Sequence, residues 1–93
     1  MNKATWNGIT LAESNECIKL ENNYYFPIAS VKSEYLIMSD YRTECSWKGT
    51  AHYYHIVVNN LRNENAAWFY PDPKSEASQI RAYVAFWRGV IVT

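Results

Sequence analysis

The chain has 93 residues, 48% of them hydrophobic and 19% charged, with 9 Lys and Arg balanced by 9 Asp and Glu. That length supports one compact domain, residues 1–93, and leaves no room for a second core. A net charge of zero without a Lys/Arg run lacks the electrostatic footprint of a nucleic-acid binder or of a surface that docks on anionic lipid, so neither partner is expected.

From the N-terminus, Met1-Asn2-Lys3 is not followed by an apolar segment of signal-peptide length. No stretch approaches the roughly 18 apolar residues of a membrane span, so the expected location is cytoplasmic. Thr5-Trp6 reads as a brief strand ended by Gly8. Ile9 to Ala12 and Cys17 to Leu20 alternate apolar and polar, and Asn22-Asn23 forms a turn before Tyr24 to Pro27. Tyr35 to Met38 is a short buried strand, and the polar run Ser39 to Glu44 reads as a loop. Thr50 to Val58 has apolar residues at both odd and even positions, as a strand covered on both faces requires. Asn59-Asn60 then makes a tight turn into a strand from Ala66 to Tyr70.

One helix signal follows. Asp72 can cap, Pro73 suits a first helical position, and the segment to Arg81 allows two or three turns. Ala82 to Trp87 alternates again, and Arg88-Gly89 turns the chain into Val90 to Val92. Many short strands with a single short helix near 73–81 predict a mainly β, antiparallel domain.

Chemistry-bearing residues concentrate at Thr43 to Ala51. A thiol becomes nucleophilic when a cation stabilises its thiolate, which makes Cys45 and its neighbour Lys48 the catalytic candidates. The alternative is that Cys45 is a small buried hydrophobe. In a reducing compartment Cys17 and Cys45 stay free. His52 and His55, an odd number of residues apart on a strand, point to opposite faces and cannot converge on a metal, so no metal site is expected. No phosphate loop or nucleophile elbow is present, and no cofactor is called for.

The unusual feature is 16% aromatic residues, with 8 Tyr and 4 Trp. A small core hides few polar-tipped rings without partners for their O–H and N–H groups, so some are expected to wall a pocket. The candidates are Tyr25, Trp47, Tyr54, Trp68 and Tyr70, with Glu13 and Lys48 at the polar edge, and the ligand suited to them is a small planar or cationic molecule.

Leu11-Ala12-Glu13-Ser14, Tyr25-Phe26-Pro27, Thr43-x-Cys45-x-Trp47-Lys48-Gly49-x-Ala51, Ala66-Ala67-Trp68-x-Tyr70-Pro71 and Tyr83-Val84-Ala85-Phe86 together resemble the bacterial domain-of-unknown-function family 427. Ser46 stands where that family usually has proline. The resemblance implies a β-tent (Mss4-like) architecture, shared with methionine sulfoxide reductase B and the ligand-binding domain of cereblon. The family's label of nucleotidyltransferase has no matching nucleotide motif here, and the two cysteine pairs of zinc-binding β-tents are missing. Three expectations compete: a small-molecule-binding module, an enzyme acting through Cys45 or Lys48, and a protein-interaction domain or homodimer.

Overall fold

Pairs of residues in the left-handed backbone region set three of the hairpins. In the computed structural model, which describes residues 1–93, Asn7-Gly8 joins β1 (Asn2–Trp6) to β2 (Ile9–Ser14). Glu21-Asn22, at φ 51 and 65, joins β3 (Ile18–Leu20) to β4 (Asn23–Pro27). After β5 (Leu36–Cys45), Asn59-Asn60 joins β6 (Gly49–Val58) to β7 (Leu61–Phe69) with the same two φ values. Consecutive positive φ angles give a turn whose twist matches that of paired strands. The expected Asn59-Asn60 turn is therefore present, whereas the turn placed at Asn22-Asn23 lies one residue earlier and puts a glutamate in a conformation that side chains with a Cβ seldom adopt.

With β8 (Tyr83–Phe86) and β9 (Ile91–Val92), the strands form two antiparallel sheets, ordered β2-β1-β9 and β3-β4-β8-β7-β6-β5. Register shows how the larger sheet divides its side chains. Tyr54, Ala67 and Phe86 lie opposite one another, as do Phe26 and Val84, while Tyr53, Trp68 and Ala85 form the neighbouring row. Directly paired residues share a face and successive ones alternate, so β6 is apolar on both sides, as its sequence predicts. One face packs Phe26, Ile56, Val84 and Phe86 against Ala4, Leu11 and Ala12 of the smaller sheet. The other packs Tyr25, Tyr53, Trp68 and Tyr70 beneath Ala77 and Ile80.

The structure corrects three sequence-based boundaries. Ser39 to Glu44 is not a loop but part of β5, whose alternating polar residues face water on a sheet edge. Ser39 itself turns inward, only 5% exposed, and donates to Asn65 Oδ1 at 2.6 Å. The β7 strand begins at Leu61 rather than Ala66, its polar first half being outside the core. The expected 73–81 helix is a 3₁₀ segment, Ser75–Ile80, kinked at Ala77; Asp72 does not cap it and Pro73 precedes it. Only Ala77 and Ile80 need cover, and a spacing of three matches a 3₁₀ turn, which eclipses i and i+3. No helix is long and apolar enough to cross a membrane.

Candidate functional site

The turn between β5 and β6 delivers Trp47 and Lys48 to the aromatic face of the larger sheet. Gly49 permits this approach: it has φ +118, and a Cβ there would meet the Asp72 carbonyl oxygen at 3.3 Å. Lys74 N–H donates to the Lys48 carbonyl at 2.9 Å and fixes the turn against the 72–74 segment. Lys48 is only 7% exposed, and its ammonium donates to the Glu21 carboxylate. The same ammonium lies 5.5 Å from the Trp47 ring centroid and 5.6 Å from that of Tyr70.

Tyr25 and Trp68 belong to the same cluster as Tyr70, their rings edge to face at 6.2 Å, with Trp68 Nε1–H donating to the Tyr25 hydroxyl at 3.3 Å. Five of the expected binding residues, Tyr25, Trp47, Lys48, Trp68 and Tyr70, therefore do converge. The cation over the Trp47 and Tyr70 rings is the protein's own lysine. An aromatic cage recognises a cation through ring faces, and Lys48 supplies that cation.

Electrostatics fit this arrangement. Burial alone would lower the Lys48 pKa, but the hydrogen bond to Glu21 and the nearby Tyr25 and Tyr70 hydroxyls leave it raised. The hydrogen bond from Lys48 lowers the Glu21 pKa, and the Trp47 indole N–H assists. Burial raises the Tyr70 phenol to about 12 and raises Tyr25 as well. A lysine held protonated has no free lone pair with which to attack.

The remaining candidates lie elsewhere. Glu13 is exposed on β2 in the smaller sheet, 3.7 Å from Lys3, and the carboxylate at the cage is Glu21 instead. The only signal for Glu21 in the sequence is its place beside Asn22, where a tight turn needs positive φ. Cys45 closes β5 opposite Gly49 and packs against the aromatic cluster as a free thiol, and Cys17 is free too, its pKa raised by burial. His52 packs on Phe69 at 5.6 Å, while His55 Nδ1 accepts from the Asn65 N–H at 3.0 Å. No cluster of His, Cys, Asp or Glu is suited to a metal ion.

An open cavity lies apart from the lysine cage. Its volume is about 280 Å³, and Tyr54 of β6 and Phe69 of β7 form one wall, their rings stacked at 4.9 Å and 24°. Ile28, Pro71, Tyr83 and Val84 add apolar surface, and Arg81 with Ala82 completes the lining. Tyr54 is the one residue among the expected binding set that lines it. Its hydroxyl is in no intramolecular hydrogen bond, and burial raises its pKa. A second, polar recess of about 450 Å³ shares Pro71 with this cavity and includes Glu44, Thr50, His52 and Lys74. A family model described as a domain of unknown function (DUF427) matches residues 2–92. No curated protein matches the chain.

Proposed function

Since the chain belongs to the DUF427 family, whose description assigns no activity, we propose a role from the geometry: it is a binding module for a small molecule with a planar apolar body, held in the Tyr54–Phe69 cavity. The observation that carries this reading is the stacked pair of rings walling an open, mainly apolar cavity. A dry cavity of about 150 Å³ accepts benzene, so about 280 Å³ is enough for a substituted ring or a fused pair. The aromatic excess that suggests a ligand cage is divided by the fold into two sets, one closed on Lys48 and one open at Tyr54.

Titration of planar probes against the protein, followed by amide chemical shifts, tests this reading. Shifts are expected to concentrate on β6, β7 and the 81–84 segment. Tyr54→Ala removes a stacking surface that contributes about 0.5–1.5 kcal/mol beyond area burial, so affinity is expected to fall about tenfold. Probes that shift only the Trp47–Lys48 region, or that ignore Tyr54→Ala, would refute the assignment.

A further inference from the structure

Resting on that reading of the cavity, we infer that its ligand class is a planar apolar monocarboxylate, with the ring beside Tyr54 and Phe69 and the carboxylate taken by Arg81. Among the residues lining the cavity, Arg81 is the only one with a charged side chain. A cationic ligand would face a like charge there, and a neutral one would forgo the charge-assisted, bidentate pairing that a carboxylate makes with a guanidinium.

The guanidinium is only lightly engaged within the chain. One N–H donates to the Pro71 carbonyl at 3.3 Å, and the nearest carboxylate oxygen, on Asp72, is 3.7 Å away on a side chain that is 95% exposed. A guanidinium carries five N–H donors in a planar fork, so an edge remains for bidentate capture of a carboxylate. Lining the same cavity, Tyr54 adds a hydroxyl without an intramolecular partner. Apart from the Tyr83 hydroxyl the rest of the lining is apolar, which suits a monoanion with two oxygens better than a phosphate with more oxygens to satisfy.

The backbone that presents Arg81 is fixed on both sides. The Arg81 N–H donates to the Ser78 carbonyl at 3.2 Å, and the Ala82 carbonyl accepts from Ile28 N–H at 2.9 Å. Ala82 sits at φ 64, a left-handed conformation unfavourable for a residue with a Cβ, and it lines the cavity. Strain of this kind persists where the surroundings over-determine it and is concentrated at ligand clamps. Here it turns the chain so that Arg81 stands at the cavity and β8 begins immediately after it.

Three matched probes separate the possibilities: 2-naphthoate, 2-naphthamide and 2-naphthylmethylamine, titrated calorimetrically against the intact protein and its variants. The acid is expected to bind at least tenfold tighter than the amide, and the amine weakest. Arg81→Gln is expected to bring the acid down to the amide's affinity and leave the amide unchanged, while Asp72→Asn, which removes a nearby carboxylate that repels the acid, strengthens acid binding modestly. Equal binding of acid and amide, both lost in Tyr54→Ala and unaffected by Arg81→Gln, would overturn the carboxylate class and leave the cavity reading intact. Failure of all three probes to bind, or binding indifferent to Tyr54→Ala, would overturn both.

Discussion

Lys48 donates to Glu21 across 27 residues and so joins the β3–β4 turn to the β5–β6 turn. The two partners differ in environment: the Lys48 side chain is almost fully buried, and that of Glu21 is half exposed. Glu21→Gln is therefore expected to destabilise more than Lys48→Met, since the first leaves an ammonium buried without its counter-ion and the second leaves a carboxylate that water can solvate. Thermal unfolding of both variants at pH 7 checks the order. The pH dependence follows from the directions of the shifts. Glu21 is lowered from 4.5, so its contribution is present above that value and is lost as pH falls through the lowered one. Lys48 is raised from 10.5, so its contribution is complete below that value and is lost as pH rises through the raised one. In Glu21→Gln the acid limb of the stability curve should flatten.

Burial holds Tyr70 protonated to about 12, against the attraction of the nearby Lys48. The unfolded chain ionises this phenol near 10, so above that pH the unfolded state binds fewer protons and stability declines. Absorbance titration near 295 nm should show late-ionising phenols in the folded protein, and Tyr70→Phe should remove the latest. Ionisation of all tyrosines together near pH 10 with the fold intact would contradict the burial assignment.

Ala82 offers a backbone test independent of any ligand. A left-handed residue with a Cβ costs about 1–2 kcal/mol, and the larger unfolded-state entropy of glycine offsets about 0.4–1 kcal/mol of the relief. Ala82→Gly is therefore expected to stabilise by up to about 1.6 kcal/mol, where the same change inside a strand destabilises. Denaturant midpoints would reveal the sign.

Arg42 is expected to protect the long sheet edge. Pairing of β5 with β6 is interrupted between Met38 and Arg42, and Arg42 Nη1 donates to the Ser39 and Tyr41 carbonyls at 2.9 and 2.8 Å. Ile37, Met38 and Tyr41 are exposed along the same strand, so an open edge here would invite another strand. Arg42→Ala should cost about 1 kcal/mol and promote concentration-dependent self-association, measured by sedimentation. A variant that stays at the wild-type mass at every concentration would refute the protective role.

Local chemistry is enough to read much of this protein. Alternation reveals the strands, the two-sided apolar pattern of Thr50 to Val58 marks an interior strand, and Asn59-Asn60 announces its turn, because each depends on residues adjacent in the chain. The 73–81 helix misleads because capping residues describe what an isolated segment prefers, whereas the cover needed over the sheet is one Ala77–Ile80 contact face. Ser39 to Glu44 misleads because polarity alone does not distinguish a loop from an exposed edge strand.

Composition alone predicts that tyrosine and tryptophan rings must find polar partners, but not which ones they find. Only tertiary pairing decides that Glu21, and not Glu13, meets Lys48, and that the Lys48 ammonium stands over the rings of Trp47 and Tyr70. The same is true of the open cavity, which exists because β6 and β7 stack Tyr54 on Phe69 while a strained Ala82, far along the chain, carries Arg81 to its lining. Such contacts join residues tens of positions apart, and their energies depend on a spatial proximity that no local pattern encodes.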